Sequence, residues 1–264
     1  MRAGMDWQPG TDLVVCLDGI FSATWRSVTP DISWKWYVAH LRRRRPELRV
    51  LHLFQPSDMV QMLLGNSANY QSYMLSLSRT VLRSVSPEIR NVVIIGFSFG
   101  GIVALDVLNE IAKLVPAASP DYLCLVTIGS SYVGTARPPD LVLSRSQHDY
   151  LTRMFDTERT RSQMEALAHF GVKRSSRILI GTIARDEIVG PDSQKRALEW
   201  LSQINVAGDF RYGSFKVNPA NLVRPHDGFL YDPIGTSFVD GLVDGLLPSP
   251  WIRPFRPEMP RQLR

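Results

Sequence analysis

A serine stands at the centre of a G-x-S-x-G pattern at residues 96–100. The apolar run 92–95 precedes the pattern as a strand would, and a helix-like apolar run follows it. A serine at the tip of a sharp strand-to-helix turn brings the residues on either side close together, so only glycine fits at Gly96 and Gly100. The turn lifts the Ser98 hydroxyl above the sheet and places it at the helix N-terminus, where backbone N–H groups favour negative charge. The pattern therefore predicts a nucleophilic serine; the alternative is a glycine-rich turn that binds phosphate or nothing.

An acid and a histidine follow the serine in the order that nucleophilic catalysis needs. Asp186 comes just past the strand-like run 177–183, and open α/β sheets build their sites at the carboxyl ends of strands. His226 lies further on, after a last short strand-like run at 213–217. Serine alone is a weak nucleophile; it needs a histidine to take its proton and a carboxylate to orient that histidine. We therefore predict a triad of Ser98, Asp186 and His226.

Other residues compete for the roles of acid and base. Asp192 lies six residues past Asp186, but Asp186 is closer to the strand end and is the preferred acid. His226 is the histidine downstream of Asp186, as the order of nucleophile, acid and base requires. The other four histidines are interpreted as core, solvated or insertion residues; they are His40, His52, His148 and His169.

Four segments resemble the α/β-hydrolase superfamily in its lipase/esterase-like branch. They are the first strand with its turn at 13–19, the nucleophile turn at 96–101, the strand and loop at 125–135, and the acid loop at 186–193. The resemblance implies a serine hydrolase without a cofactor, whose oxyanion hole uses two backbone N–H groups. One of them belongs to Phe99, the residue after the nucleophile, and the other to Ile20, with Phe21 as the alternative.

Three positions depart from common lipase motifs. Asp18 precedes Gly19 where many lipases have His-Gly, and Phe97 replaces the histidine that often precedes the serine. The loop at 129–132 reads Gly-Ser-Ser-Tyr in place of Gly-Thr-Pro-His. These departures keep the triad but argue against an ordinary triacylglycerol lipase. Because short Asp side chains brace turns, we expect Asp18 to accept hydrogen bonds from backbone N–H groups.

Strand-like and helix-like segments alternate along the chain, which indicates an α/β fold with a parallel sheet covered on both faces. The expected strands are 12–17, 49–54, 91–96, 122–128, 177–183 and 212–217. The expected helices are 33–44, 69–85, 99–115, 193–204 and 235–246. Only eleven residues precede the first strand. The expected architecture is therefore an α/β-hydrolase fold with a compact, six-stranded, mostly parallel sheet within one domain, 1–264.

Residues 135–176 separate two expected strands by far more than the usual loop length. Within this insertion, apolar residues recur at helical spacing; they include Leu151, Met154, Phe155, Met164, Leu167 and Phe170. Members of the resembled superfamily carry caps at this position, so we predict a small helical cap that walls an apolar pocket. The alternative is a surface helical hairpin packed away from the site.

Composition is that of an ordinary globular domain: 264 residues, 44% hydrophobic and 21% charged, with a net charge of +5. The arginine run 42–45 is interpreted as a helix end that complements the helix dipole, rather than as a nucleic-acid site. Cys16 and Cys124 lie in strand-like runs and are expected to be buried free thiols, and no Cys/His spacing suggests a metal. Residues 1–11 show no secretory signal and no apolar run approaches eighteen residues, so we expect a cytoplasmic protein without a transmembrane segment.

These observations predict a serine hydrolase that cleaves carboxylic esters or thioesters with an apolar acyl part through an acyl-enzyme. The expected partner is the small-molecule acyl substrate, and nucleic acid is not expected to bind. An acyltransferase or thioesterase of a biosynthetic pathway, using the same triad, is the first alternative. A binding protein that keeps the fold without turnover is the second, and an intact triad argues against it.

Overall fold

The structure of the protein is a computed structural model. It describes residues 12–19, 34–53, 67–85, 88–114, 121–130, 157–170, 175–186, 189–204, 210–218, 237, 239–241 and 243–244. Within these ranges six strands form one sheet in the order β2-β1-β3-β4-β5-β6, and all five neighbouring pairs are parallel. The strands are β1 (Asp12–Leu17), β2 (Arg49–Leu53), β3 (Asn91–Phe97), β4 (Tyr122–Ile128), β5 (Ser175–Ile183) and β6 (Phe210–Val217). The predicted six-stranded parallel sheet is confirmed.

The central strands are apolar on both faces because helices cover both sides of the sheet. In β3 the side chains of Val92 and Ile94 pack into one core, and those of Val93 and Ile95 pack into the other. All four are at most 1% exposed, as expected for a strand in the middle of a parallel sheet. The edge strand β6 instead alternates partly exposed and exposed residues along most of its length.

Five helices have described bounds: α1 (Lys35–Arg44), α2 (Ser67–Ser84), α3 (Phe99–Leu114), α4 (Thr157–Phe170) and α5 (Pro191–Gln203). The described residues between 237 and 244 are also helical. Buried residues of α2 to α5 share one core with one face of the sheet, and α1 with the 237–244 helix covers the other face. The prediction of helices on both faces is confirmed.

The chain order reverses its direction across the sheet between β1 and β3. From β1 the chain goes to β2 on one side of β1, and then crosses to β3 on its other side. Loops that leave two neighbouring strands in opposite directions open a gap between them, where ligands of open α/β sheets bind. Gly19 follows β1 and Ser98 follows β3, so both lie at this point of the sheet.

The arginine run at the end of α1 is engaged in ion pairs within the protein. Arg44 donates two hydrogen bonds to the carboxylate of Asp244, both 2.7 Å long, and Arg45 donates a third of 2.8 Å. The Asp244 hydrogen bond raises the pKa of Arg44 against the opposing effect of its partial burial. His40 Nε2 lies 2.8 Å from Asp240 Oδ2. These contacts hold the 237–244 helix on α1, in line with a structural role for the run.

Part of the predicted cap lies in helix α4. Met164 is fully buried in the core that α3 lines, and Gln163 Nε2 donates a hydrogen bond to Asp106 Oδ1 on α3. Helix α4 therefore packs against the helix that begins after Ser98. Residues 135–156 and 171–174, with Met154 and Phe155, lie outside the described residues, as do the side chains of α4 from 167 to 170. The single domain and its cap at 135–176 remain predictions.

Candidate active site

Ser98 occupies the turn between β3 and α3 in a conformation that serine rarely adopts. Its φ is +52°, in the left-handed region that costs energy for a residue with a side chain. Its N–H donates to Ile128 O on β4 (2.8 Å), and its carbonyl accepts from Gly101 N–H (3.0 Å). Ser98 is partly exposed, whereas every other residue from 91 to 108 is buried. The fold thus holds one strained and accessible serine at the carboxyl edge of the sheet.

Two glycines make this turn possible, as the sequence pattern predicted. A Cβ at Gly96 would lie 2.5 Å from Gly101 Cα, and a Cβ at Gly100 would lie 2.5 Å from both Leu17 O and Asp18 O. These obstacles are backbone atoms, which cannot rotate away. The glycines therefore let β3 meet the start of α3, and let that start pack against the end of β1.

The turn after β1 lies beside the serine. A Cβ at Gly19 would stand 3.2 Å from Ser98 Cβ. Phe99 begins α3, and the first N–H groups of a helix have no acceptor within the helix. The two predicted oxyanion positions after β1, Ile20 and Phe21, lie outside the described residues.

Asp18 is fully buried at the end of β1. Its Oδ1 accepts a hydrogen bond of 2.9 Å from Trp34 N–H, which confirms the prediction that Asp18 accepts from a backbone N–H group. The same oxygen lies 3.0 Å from His52 Nε2 on β2. The sequence predicts a core or edge position for His52, and its pairing with Asp18 was not predicted. A signal was available, since both residues stand at the carboxyl ends of strands that precede long loops.

Asp186 lies in the turn that follows β5. Its N–H donates to Ile183 O (3.2 Å), and its Oδ1 accepts from Val189 N–H (2.8 Å). The preceding residue, Arg185, has a φ of +60°, so the turn is tight. Parallel register aligns Phe97 of β3 with Ile128 of β4, and Ile128 with Gly181 of β5. Asp186 and Ser98 therefore leave the sheet at the same edge.

The rival acid has a different setting. Asp192 is exposed in the first turn of α5, just after Pro191 at the helix start. An acidic residue there complements the positive end of the helix dipole. Its place in the helix is explained without any role in a site.

The predicted base, His226, is not among the residues that the structure describes. His148 also lies outside the described residues, and for His169 on α4 only the backbone is described. His40 and His52 pair with Asp240 and Asp18, respectively. The triad therefore remains a prediction for which the structure supplies the settings of Ser98 and Asp186.

Cys16 and Cys124 are buried free thiols, as predicted. Burial raises the pKa of Cys124 to about 12 and raises that of Cys16 as well, so both thiols stay protonated at neutral pH. Among the described residues there is no group of three His, Cys, Asp or Glu side chains that could hold a metal ion. No helix in the described part of the chain is long and apolar enough to cross a membrane.

Comparisons by sequence give no match: no protein-family model and no curated protein matches this chain. Comparison by structure gives matches to solved hydrolase structures. A structure of the metagenome-derived lipolytic enzymes LipS and LipT has a TM-score of 0.53 at 10% identity, covering 89% of this chain and 93% of that chain. Est1E from Butyrivibrio proteoclasticus has a TM-score of 0.52 at 11% identity, covering 89% and 88%. A putative cell surface hydrolase from Lactobacillus plantarum has a TM-score of 0.50 at 12% identity, covering 90% and 91%. The chain has the α/β-hydrolase fold.

Proposed function

We propose that this protein is a serine hydrolase that cleaves carboxylic ester or thioester bonds of substrates with an apolar acyl part. The observation that carries the proposal is Ser98, which combines a φ of +52° with partial exposure at the end of a central parallel strand. A strained residue persists only where its surroundings over-determine it, and such residues cluster at active sites. The glycines on both sides and the hydrogen bonds to β4 and α3 supply that constraint.

In the proposed reaction, Ser98 Oγ attacks the acyl carbonyl while His226 takes its proton. His226 then delivers the proton to the leaving group, and Asp186 orients the imidazole and balances its charge. Water hydrolyses the acyl-enzyme by the reverse sequence of proton transfers. The N–H groups of Phe99 and Ile20 stabilise the negative oxygen of the tetrahedral intermediate.

The setting of Asp186 supports its role over Asp192. One of its oxygens already accepts from Val189 N–H, which fixes the orientation of the carboxylate within the turn. A partly buried carboxylate at the edge that carries Ser98 is placed to orient a histidine from a neighbouring loop. Asp192 is instead exposed in the first turn of α5.

The turn after β1 supports the proposed oxyanion hole. Gly19 has no side chain, so its backbone can approach the side chain of Ser98 closely. The proposed donors are the N–H of Ile20, which follows Gly19 in the chain, and the N–H of Phe99, which follows Ser98. Removal of one oxyanion donor costs about 10²–10³-fold in kcat in enzymes of this mechanism.

The test is labelling by a fluorophosphonate together with turnover of p-nitrophenyl esters. We expect the adduct on Ser98 by mass spectrometry, and Ser98→Ala should lower kcat by at least roughly 10³-fold. Ser130→Ala is the matched control, because Ser130 is a nearby buried serine at the end of β4 and its loss should leave labelling intact. An adduct on another serine, or unchanged turnover by Ser98→Ala, would overturn the proposal.

The same preparation separates hydrolysis from acyl transfer. Product analysis with p-nitrophenyl esters and acyl-CoA thioesters, each with and without an added alcohol acceptor, measures how the acyl-enzyme divides between water and alcohol. Hydrolysis predicts free acid as the main product at all acceptor concentrations. A main product that carries the acyl group on the alcohol would assign the chain to acyl transfer instead.

A further inference from the structure

We propose that Asp18 and His52 form a buried pair that positions the oxyanion turn for catalysis. The inference rests on the proposed function, because it assigns these residues a role in the same reaction. Neither side chain is proposed to touch the substrate. They act through the backbone that leaves β1 beside Ser98.

Asp18 stands at the end of β1, beside the nucleophile turn. It joins the last residue of β1 to Gly19, and the backbone of Gly19 lies against the Ser98 side chain. The carbonyl oxygens of Leu17 and Asp18 lie against Gly100 at the start of α3. Any shift of Asp18 therefore moves the backbone on the oxyanion side of the serine.

Contacts with Leu53, Trp34 and His52 hold Asp18 in place. Its N–H donates to Leu53 O (3.2 Å), which extends the pairing of β1 with β2 by one residue. Its Oδ1 accepts from Trp34 N–H (2.9 Å) and lies 3.0 Å from His52 Nε2. A carboxylate oxygen only accepts hydrogen bonds, so the geometry assigns His52 Nε2 as the donor in this contact.

Residues 20–33, which include Ile20, lie between Gly19 and Trp34 in the chain. Gly19 follows β1 and Trp34 precedes α1, and Asp18 links the two by accepting the hydrogen bond from Trp34 N–H. Trp34 adds a second link, because its indole Nε1 donates to Leu17 O (3.0 Å). Trp34 is 1% exposed, so this link is anchored in the core. Asp18 thus fixes both residues that border the stretch with the proposed oxyanion donor, and His52 holds the same carboxylate oxygen of Asp18.

In the proposed reaction His52 does not transfer the proton, because its Nε2 is paired with Asp18. His52 belongs to β2, Ser98 follows β3, and β1 lies between them. Two strand spacings separate β2 from β3, which is about 10 Å. His52 is therefore a positioning residue that acts through Asp18.

The inference predicts a split between kcat and KM. His52→Ala and Asp18→Ala should lower kcat for p-nitrophenyl acetate by about 10–10²-fold, less than the loss of a whole oxyanion donor. KM should change by less than about 2-fold, because the oxyanion exists only in the transition state. His52→Gln keeps a side-chain donor and should recover most of the lost kcat.

A matched control lies at the opposite end of the same strands. Asn91 Nδ2 donates to Asp12 Oδ1 (2.6 Å) at the amino ends of β3 and β1, and both residues are at most 5% exposed. Asn91→Ala breaks a buried hydrogen bond to a carboxylate on β1 but lies a strand length away from Ser98. It should lower the midpoint of urea unfolding while leaving kcat within about 2-fold of wild type, when assayed well below that midpoint.

The outcomes separate the two proposals. Wild-type protein without a fluorophosphonate adduct on Ser98 would overturn the proposed function. If wild-type protein is labelled at Ser98 but His52→Ala keeps its kcat, the proposed function stands and the positioning role fails. Equal losses of kcat in His52→Ala and Asn91→Ala would also overturn the positioning role, because general destabilisation would then explain both. Should Asp18→Ala fail to fold, the His52 variants decide the result alone.

Discussion

Gly101→Ala tests how the start of the nucleophile helix packs against the end of β4. A Cβ at Gly101 would lie 2.7 Å from Ser130 Cβ and closer still to Ser130 Oγ. The next obstacle is Thr127 Cβ at 3.1 Å, a tight but tolerable contact. Most of the clash therefore comes from one side chain. Removing that side chain should cost little stability, because Ser130 Oγ has no hydrogen-bond partner among the described residues.

The expected magnitude follows from these contacts. Overpacking a tight site costs about 1–3 kcal/mol, and alanine in a helix returns about 0.5–1 kcal/mol over glycine. Gly101→Ala should therefore lower the free energy of unfolding by up to about 2 kcal/mol. Ser130→Gly in the same chain removes both Ser130 atoms from the clash and should recover most of this loss. The coupling between the two sites should be about 1–2 kcal/mol, within the range found for residues in contact.

Gly100→Ala provides the comparison. Its obstacles are the backbone oxygens of Leu17 and Asp18, which no side-chain substitution removes. Its destabilisation should be the same in the presence and absence of Ser130→Gly.

The assay is equilibrium urea unfolding of the wild type, each single variant and the two double variants, Gly101→Ala with Ser130→Gly and Gly100→Ala with Ser130→Gly. Linear extrapolation then gives the coupling free energy of each pair. The reasoning is refuted if Gly101→Ala costs the same with and without Ser130→Gly. It is also refuted if Ser130→Gly rescues Gly100→Ala as well as it rescues Gly101→Ala.

Three further predictions concern the buried thiol of Cys124, the predicted acid Asp186 and the ion pairs of Asp244 on the 237–244 helix. Burial holds the pKa of Cys124 near 12 against about 9 for an exposed thiol, so stability should be full below pH 9 and fall by up to about 1.4 kcal/mol per pH unit for this thiol as the pH rises towards 12. Urea unfolding between pH 8 and 11 should show this slope, and Cys124→Ala should reduce it; an equal slope in both proteins would contradict it. Asp186→Asn should lower kcat by orders of magnitude with the fold intact, whereas Asp192→Asn should leave kcat unchanged, and the reverse pattern in ester assays would move the role to Asp192. Asp244→Ala removes the hydrogen-bond acceptor of Arg44 and Arg45 at the end of α1 and should lower the free energy of unfolding by about 1–3 kcal/mol, which urea titration measures; no change would show that these ion pairs are not needed to hold the 237–244 helix.

The sheet was predictable because the residue composition of its central strands identifies them. Residues 92–95 are continuously apolar, and a strand buried on both faces needs that composition. The largest errors fall at the starts of β5 and β6, and β3 extends one residue past its expected end, to Phe97. Strand β5 begins at Ser175 and β6 at Phe210, each two residues before the expected start, because their first residues include polar side chains that apolar periodicity does not detect. Helix α5 begins at Pro191 rather than 193, and proline at the first helical position is a known exception to its helix-breaking character.

The nucleophile turn was predictable for a similar reason. The demand for glycine at 96 and 100 is steric and local, so the pattern carries it without knowledge of the rest of the fold. The surroundings of helix α4 were not predictable in this way. Its apolar spacing indicated a helix, but a helical period does not say which surface the apolar face covers. The contact of Gln163 with Asp106 joins residues 57 positions apart and depends on how α4 crosses α3.

The amino-acid sequence by itself therefore determined the strands, the helices that follow them and the turn that exposes Ser98, because each depends on interactions between near neighbours in the chain. Only the tertiary structure decided that Asp18 meets His52. The two residues are 34 positions apart, and no local pattern links them. They meet because β1 and β2 pair in parallel, with Leu17 opposite Leu53. This register brings Asp18, the residue after Leu17, beside His52 near the end of β2.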